Sequence, residues 1–373
     1  MKLLTQIKSL RHSLWQGFWR LMPIQSNKVI LWADNFKSFG CSPKYIALEL
    51  VRQGGWDVVW VLDRERPVPS DMPPEIRVVP YFSMQYLREI ATAKFVVCNH
   101  RTSNYHFFRK RPGQFYIQTW HSSLRLKRIE GDAELPESYV ETAKQDSAKI
   151  DLLLSGCRFS TEIFRRAFWY DGEILEKGTP RCDGFFGDNF GVKEKVFRHF
   201  GIPAGKKLAL YAPTFRNDKK PSLYGMDPER LRTALGQDWV VGCRMHPNLN
   251  GTVDMGPAIS MSGYPDMQEL LAACDLLITD YSSSMFDMAV ARKKCVLYVP
   301  DLDSYLARER GLYFDLRELP FPKAETMEDL CEIVGRWPDG EDAEWVQAFL
   351  HRIGNYENGN AAKSVVKWIS EKS

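Results

Sequence analysis

The chain has 373 residues, of which 44% are hydrophobic and 26% are charged, a composition typical of soluble globular proteins. Its length suffices for two domains with separate cores. The formal net charge of +3 is small for this size, which argues against a protein that binds nucleic acid or another polyanion over its whole surface. The eight cysteines occur singly and form no CxxC pair, so we expect reduced core thiols in the cytosol and no metal or redox motif.

Residues 1–25 predict a basic amphipathic helix. Apolar residues recur there at helical spacing between lysines and arginines, and Trp15, Phe18 and Trp19 add large rings. The apolar run is too short for a membrane span, and no signal-peptide cleavage site follows it. Such a helix fits the headgroup layer of an anionic membrane. Packing on its own domain is the alternative, and the sequence alone leaves both open.

From Lys28 onward, short apolar strands alternate with helices. In the first half we predict strands at 29–33, 57–62, 76–79, 95–98, 115–118 and 152–154, and helices at 43–52, 83–93 and 159–168. Strands separated by helices are typical of a parallel sheet covered on both faces. This half is Rossmann-like, although it contains no GxGxxG motif.

The alternation pauses at 178–205, a stretch rich in glycine and charge, and we place a domain boundary there. The second series is predicted to contain strands 208–212, 239–245, 276–278 and 295–299, and helices 193–200, 227–235, 266–273, 282–292 and 361–370. The sequence therefore predicts an α/β fold with two doubly wound, Rossmann-like domains that face each other across a cleft. The predicted units are the amphipathic helix 1–25, an acceptor domain 26–190 and a donor domain 191–373, whose last helix is free to pack back on the first domain.

Two histidines follow predicted strands in different halves of the chain. His121 comes after strand 115–118, and His246 comes after strand 239–245. Ligands of parallel sheets bind outside the carboxyl ends of the strands, so we expect both side chains to face one cleft. Histidine can take or give a proton near neutral pH. Either residue alone would more often be a hydrogen-bonded structural histidine, and their pairing across the two domains favours catalysis.

Hydroxyl and basic side chains lie at the same strand ends. Ser282, Ser283 and Ser284 open a predicted helix, where hydroxyls and free amides can hold a phosphate. Serines also cap helices, and Ser284 with Asp287 has the spacing of a capping box. Further polar residues near strand ends are Arg125, Lys127, Arg128, Thr214, Arg216 and Arg244. Arginine forks match phosphate oxygens, so the pattern indicates a phosphate-handling cleft, whereas no carboxylate pair, Ser-His-Asp order or metal-ligand cluster is visible.

Several segments, in chain order, resemble conserved segments of the CDP-glycerol glycerophosphotransferase family, which includes teichoic acid primases and polymerases and related capsule enzymes. They are QTWHSSLRLKRIEGD, YAPTFRND, RMHPN, LLITDYSSSMFD and YLARERGLYFDL, with GTPRCD and NYENGNA as lesser matches. The resemblance covers roughly residues 95–370. It implies a GT-B fold and a peripheral enzyme at the cytoplasmic membrane face. It further implies transfer of glycerol phosphate from CDP-glycerol to a hydroxyl of a lipid-linked saccharide acceptor in cell-wall polymer synthesis.

The resemblance also implies roles for individual residues. His121 would be the general base on the acceptor hydroxyl, and His246 would bind the donor phosphates or assist the leaving CMP. The expected donor residues are Thr214, Arg216, Arg244, Asp280, Ser282, Ser283, Ser284 and Arg310, and the expected acceptor-side residues are Ser122, Arg125, Lys127 and Arg128. No cofactor or resident metal is expected, although a divalent cation could accompany the pyrophosphate.

The chain departs from the family pattern at two positions. Ser122 stands where glycine usually follows the first histidine, and Asn358 stands where aspartate is common. The first 90 residues match little, so the acceptor is the least defined partner, and priming is not distinguished from polymerisation. The alternatives are a CDP-ribitol or other CDP-alditol donor, a sugar-nucleotide glycosyltransferase or epimerase of the same fold, and an inactive assembly scaffold.

Overall fold

The computed structural model describes residues 15, 17–102, 108–187, 190–214, 216, 222–245, 253–308, 311–336 and 343–373. Within them the chain forms two parallel β-sheets with helices between the strands. The predicted α/β architecture with two doubly wound sheets is confirmed.

The first sheet has seven parallel strands in the order β3-β2-β1-β4-β5-β6-β7. The strands are β1 (Gln25–Trp32), β2 (Asp57–Leu62), β3 (Arg77–Pro80), β4 (Ala93–Cys98), β5 (Phe115–Gln118), β6 (Leu152–Leu154) and β7 (Glu173–Leu175). The helices are α1 (Cys41–Gln53), α2 (Met84–Thr92), α3 (Glu137–Ser147) and α4 (Arg158–Ala167). Separate apolar clusters cover the two faces of the sheet, which explains why its central strands are apolar throughout. The strand order reverses between β1 and β4, a position where such sheets bind ligands.

The second sheet repeats this topology with six parallel strands in the order β10-β9-β8-β11-β12-β13. The strands are β8 (Lys207–Tyr211), β9 (Trp239–Cys243), β10 (Ile259–Ser260), β11 (Leu276–Thr279), β12 (Lys294–Tyr298) and β13 (Lys323–Ala324). The helices are α5 (Phe190–Phe200), α6 (Pro228–Leu235), α7 (Met267–Ala273), α8 (Ser284–Val290), α9 (Leu302–Arg308), α10 (Met327–Arg336), α11 (Ala343–Ile353) and α12 (Ala361–Glu371). Its reversal point lies between β8 and β11.

The last helix, α12, leaves the second domain and packs on the first. Val365, Val366 and Ile369 are buried in the apolar cluster that covers one face of the first sheet, and α12 contacts α1. The indole nitrogen of Trp368 donates to Glu173 Oε1 at 3.0 Å. The chain therefore passes between the two domains twice.

Buried ion pairs and short backbone bridges join the two domains. On α1, Lys44 Nζ lies 2.7 Å from Asp266 Oδ2 and 2.6 Å from Glu269 Oε1. Isolated β-bridges pair residue 127 with 312 and residue 157 with 355. These contacts connect the first domain to the second at several points.

Several predicted element ends are displaced: β1 begins at Gln25 instead of residue 29, α5 begins at Phe190 instead of residue 193, and other ends shift by one or two residues. Strand β9 was expected to reach Met245 but ends at Cys243, the last residue that pairs with β10. Helix α8 was expected to reach Arg292 but ends at Val290, because Arg292 adopts a left-handed φ of 53°.

Candidate active site

A cavity of about 450 Å³ opens between the strand ends of the two sheets. The first domain lines it with Asp34, Trp120, His121, Ser122, Arg125, Lys127, Ile129 and Arg181. The second domain lines it with Ala212, Pro213, Thr214, Arg244, Met245, Met267, Tyr281, Ser282, Ser283 and Ser284. The cavity therefore brings together most of the polar residues that the sequence placed in one cleft.

His121 faces this cavity in a defined orientation. It follows β5, and its Nδ1 lies 3.2 Å from the backbone oxygen of Asn99. A carbonyl oxygen only accepts hydrogen bonds, so Nδ1 carries the proton. In the neutral ring the lone pair is then on Nε2, and this nitrogen is available as a base.

The surroundings of His121 favour its neutral form. The ring is accessible from the cavity, but the protein atoms that enclose the cleft, the neighbouring His100 and the cations Arg181 and Arg125 lower the pKa of His121 well below its ordinary value, whereas the bond to Asn99 raises it. The ring also stacks on His100 with centroids 4.9 Å apart. At neutral pH the side chain is therefore unprotonated, which is the form that a general base needs before it accepts a proton.

An Asp34–Asn99 network supports the backbone oxygen that orients His121. Asn99 Nδ2 donates to Asp34 Oδ1 at 3.0 Å, and the backbone amide of Asp34 donates to Asn99 Oδ1 at 3.0 Å. Burial opposes ionisation of Asp34, but the hydrogen bond from Ser38 and the nearby His100 keep its pKa below the ordinary value. Asp34 was not among the residues predicted from the sequence; the available signal was a polar residue two positions after the apolar strand β1.

Arg181 ties the His121 loop to the second domain. Its side chain is buried and donates to the backbone oxygen of His121, to Gln268 Oε1 at 2.7 Å and to Asp287 Oδ2 at 2.6 Å. The position lies in GTPRCD, a segment for which no role was predicted from the sequence. Because Asp287 is on α8, this one guanidinium connects the candidate base with the serine-rich turn before α8.

The capping box expected at Ser284 is absent. The N-cap of α8 is Ser283, whose side chain makes no cap hydrogen bond, and Asp287 is engaged by Arg181 instead. Ser284 Oγ donates to Ser282 Oγ at 2.9 Å, and Ser283 Oγ accepts from the amide of Leu126 at 3.4 Å. The three serines thus line the cavity, and the Ser282 hydroxyl also accepts a hydrogen bond from the Ser284 amide at 3.3 Å, at the start of α8.

The other expected donor residues divide into two groups. Thr214 and Arg244 line the cavity, and Arg244 Nη1 donates to the carbonyl of Tyr264 at 2.7 Å. Asp280 and Arg216 lie behind it: Asp280 Oδ1 accepts from the Thr214 amide at 2.8 Å, and Arg216 Nη1 donates to Asp280 Oδ2 at 2.9 Å. Arg216 also pairs with Asp301 at 2.8 Å, so both residues shape the Thr214 loop.

Of the residues predicted for the acceptor, Ser122, Arg125 and Lys127 line the cavity. Arg128 lies outside it on an exposed bridge, where its backbone amide donates to the carbonyl of Gly311 at 2.8 Å. The predicted donor residues His246 and Arg310 lie outside the described residues.

The aromatic residues near the N-terminus form an exposed patch. Of the helix predicted over 1–25, Trp15 and residues 17–19 are helical, β1 begins at Gln25, and residues 1–14 and 16 lie outside the described part. Trp15 and Phe18 are 42% and 49% exposed, whereas Trp19 is half-buried beneath the guanidinium of Arg88. None of the helices among the described residues has the length and apolar character needed to cross a bilayer. In the same part of the chain, no cluster of three or more His, Cys, Asp or Glu side chains is arranged to hold a metal ion.

Two doubly wound domains around a polar cleft define a GT-B-type transferase architecture. The family model described as CDP-Glycerol:Poly(glycerophosphate) glycerophosphotransferase matches residues 15–371. The chain belongs to this family, and the resemblance inferred from its motifs is confirmed.

Named relatives and solved structures agree with this assignment. The teichoic acid poly(glycerol phosphate) polymerase of Bacillus subtilis is 32% identical over 93% of this chain, which spans about half of that protein, 49%. The protein of the same name from Bacillus spizizenii is 30% identical, with 98% of both chains covered. A structure of the wall teichoic acid polymerase TagF is 28% identical with a TM-score of 0.85 and covers 100% of this chain and 98% of that one. A TagF variant soaked with CDPG also has a TM-score of 0.85. These similarities confirm the predicted GT-B fold.

Proposed function

We propose that this chain transfers glycerol phosphate from CDP-glycerol to a hydroxyl group and releases CMP. The observation that carries the proposal is the common cavity of His121, with its free Nε2, and the three serines of the second domain. The names of the relatives, which are teichoic acid poly(glycerol phosphate) polymerases, support glycerol phosphate as the transferred group.

The proposed reaction is an in-line displacement at phosphorus. The acceptor oxygen attacks the β-phosphorus of CDP-glycerol, which carries the glycerol, and its proton passes to Nε2 of His121. The bond between this phosphorus and the bridging oxygen breaks, and the electron pair leaves with CMP. Reactions of this type depend on positioning and on stabilisation of the phosphoryl charge, which Arg181 supports by holding the His121 loop against α8.

The donor pyrophosphate is proposed to lie on the second domain. Arg244 offers a positive charge there, and Thr214 with Ser282, Ser283 and Ser284 offers hydroxyl groups. His246 and Arg310 remain predicted donor residues. Arg216 and Asp280 would act indirectly, through the position of the Thr214 loop.

The acceptor is proposed to be a lipid-linked saccharide precursor of a cell-surface polymer, reached at the cytoplasmic face of the membrane. Trp15 and Phe18 present exposed rings, and Arg20 and Arg111 lie in the same region. Aromatic rings with neighbouring cations suit the headgroup layer of anionic lipids.

A donor screen tests the reaction. We expect CMP release from CDP-glycerol in the presence of a soluble hydroxyl acceptor, and a rise in thermal midpoint with CDP-glycerol because the ligand binds only the folded state. Turnover of CDP-ribitol alone would change the donor assignment. Turnover of a UDP-sugar without turnover of any CDP-alditol would overturn the proposal.

A second experiment tests membrane association. The double variant Trp15→Glu with Phe18→Glu should lose co-sedimentation with phosphatidylglycerol vesicles. Trp345→Glu is the matched control, because Trp345 is a 73% exposed tryptophan on α11. Equal sedimentation of both variants and the parent would mean that the aromatic patch packs on the protein and does not bind the membrane.

No resident cofactor is proposed, and any divalent cation would arrive with the pyrophosphate of the donor. EDTA is therefore expected to leave the thermal midpoint of the donor-free chain unchanged. A drop in this midpoint would indicate a bound structural metal.

A further inference from the structure

The candidate base is open to solvent, unlike the residues around it. Of the described residues that line the cavity, only His121 is exposed, and the others are half-buried or buried. On the same loop, Ser122 and Arg125 are 7% and 2% exposed. Since an exposed surface is one that water can touch, a water molecule in the cavity reaches the His121 ring.

The contacts of the His121 ring leave its basic nitrogen for a ligand. Nδ1 lies 3.2 Å from the backbone oxygen of Asn99. The rings of His100 and Trp120 stack on the imidazole with centroids 4.9 Å and 4.5 Å away. Within the described part of the chain, no hydrogen bond involves Nε2. The lone pair that would take a proton in the transfer reaction is therefore not engaged by these neighbours.

The orientation of His121 depends on protein groups alone. The Asn99 carbonyl sets its tautomer, Asp34 supports Asn99, and Arg181 holds the backbone oxygen of His121. None of these groups belongs to a substrate, so the base is placed before an acceptor enters. Some transferases suppress hydrolysis because substrate binding closes a loop or a domain and only then completes the catalytic site. The placement of His121 requires no such step.

Water also fits the cavity in size and chemistry. The cavity has a volume of about 450 Å³, whereas a water molecule occupies roughly 30 Å³ in the liquid. Its wall carries hydroxyl groups and cations, among them Ser282, Thr214 and Arg244, and polar walls retain water. Water and an alcohol hydroxyl have similar acidity, so a base that takes the proton of one can take the proton of the other.

We propose that this chain has a second activity, the hydrolysis of CDP-glycerol to CMP and glycerol phosphate when no acceptor hydroxyl occupies the cavity. The water oxygen forms a bond to the β-phosphorus, and one water proton passes to Nε2 of His121 and then to solvent. The bond from this phosphorus to the bridging oxygen breaks, and its electron pair leaves with CMP. The inference rests on the proposed transfer reaction and adds water as a competing acceptor. Hydrolysis is slower than transfer, because a bound acceptor is oriented and free water is not.

An assay without acceptor, in ¹⁸O-labelled water and a buffer free of alcohols, tests this activity. We expect CMP and glycerol phosphate in equal amounts, with one ¹⁸O atom in glycerol phosphate and none in CMP. His121→Ala should lower the rate at least about a hundredfold, as for loss of a general base. His351→Ala is the matched control and should keep the parent rate, because His351 is an exposed histidine on α11 that does not line the cavity. Label in CMP, or equal rates for the parent and His121→Ala, would overturn the inference.

Competition with a soluble hydroxyl acceptor shows whether both activities use the same base. Formation of glycerol phosphate should fall over the range of acceptor concentration in which transfer rises, because acceptor and water require the same Nε2. Undiminished hydrolysis at saturating acceptor would contradict a shared site. CMP release that occurs only with an acceptor would overturn the hydrolytic activity and leave the transfer reaction intact. If CDP-glycerol releases no CMP with or without an acceptor, the proposed transfer reaction itself fails.

Discussion

At the scale of single residues, the site depends on a histidine whose tautomer and charge are set by its neighbours. The carbonyl of Asn99 fixes the proton on Nδ1 of His121, and enclosure by the cleft, His100 and the nearby cations lower the pKa of the ring. The unprotonated form of such a base is lost only when the pH falls through its lowered pKa. The protonated ring can no longer take the proton from the acceptor hydroxyl.

The lowered pKa of His121 predicts a pH profile of kcat/KM that differs from the profile of an enzyme with an ordinary catalytic histidine. With a pKa of about 6.5, an ordinary histidine would have lost roughly three quarters of its base form at pH 6. We expect kcat/KM to stay within about twofold between pH 8 and pH 6 and to fall only at lower pH. Circular dichroism at each pH controls for unfolding. An acidic limb centred near pH 6.5 would contradict the lowered pKa of His121.

At the scale of elements, Arg181 connects helix α8 to the first domain. The guanidinium bonds Asp287 on α8, Gln268 on α7 and the backbone of His121. Burial raises the pKa of Asp287 against the opposing effect of Arg181, so the carboxylate depends on this partner. The buried ion pair of Arg181 with Asp287 thus connects the serine-rich turn to the loop that carries the candidate base.

Arg181→Met is expected to destabilise the fold by about 3 to 5 kcal/mol, because it leaves a buried carboxylate unpaired. Adding Asp287→Leu should recover at least half of this loss while activity stays low, since the His121 loop has lost its anchor. Arg230→Met serves as a control: Arg230 and Glu328 form an exposed pair at 2.6 Å, which contributes about 1 kcal/mol or less. Urea unfolding measures the free energy of unfolding of the three variants. If the losses caused by the two substitutions simply add in the double variant, Arg181 and Asp287 are not coupled.

At the scale of the whole molecule, Glu357 joins the segment before α12 to the first domain. Its carboxylate accepts from the amide of Thr179 at 2.9 Å and from Thr179 Oγ1 at 2.7 Å, and it is 6% exposed. Gly156 and Gly178 leave room for it, because a Cβ there would lie 2.5 Å and 2.6 Å from its oxygens. Burial raises the pKa of Glu357 to about 7, despite the hydrogen bonds from Ser123 and Thr179.

A raised carboxyl pKa makes the folded state bind a proton that the unfolded chain releases above about pH 4.5. The stability contributed by protonated Glu357 is therefore complete at low pH and is lost as the pH rises through 7. The measurement is the difference in free energy of unfolding between the parent and Glu357→Gln. We expect this difference to fall by roughly 2 kcal/mol between pH 5.5 and pH 8. A difference that is constant or rises with pH would mean that the carboxyl is ionised in the folded protein.

The sequence predicted those parts of the molecule that short-range patterns encode. Strand ends and family motifs placed His121 and the serines before α8 in one cleft, and the cavity contains both. Asp34, Arg181 and Glu357 were missed because their roles depend on contacts with residues far away in the chain, such as Asp34 with Asn99 and Arg181 with Asp287. Two-residue edge strands such as β10 and β13 were missed because so short a segment has no periodicity to detect.

The most direct test of the proposed transfer reaction is CMP release from CDP-glycerol, measured for the parent and for His121→Ala with the same hydroxyl acceptor. General-base catalysis typically contributes about 10² to 10⁴ in rate, so we predict a loss of at least about a hundredfold, with the rise in thermal midpoint caused by CDP-glycerol retained. A rate within tenfold of the parent would contradict the assignment of His121 as the base on the acceptor hydroxyl.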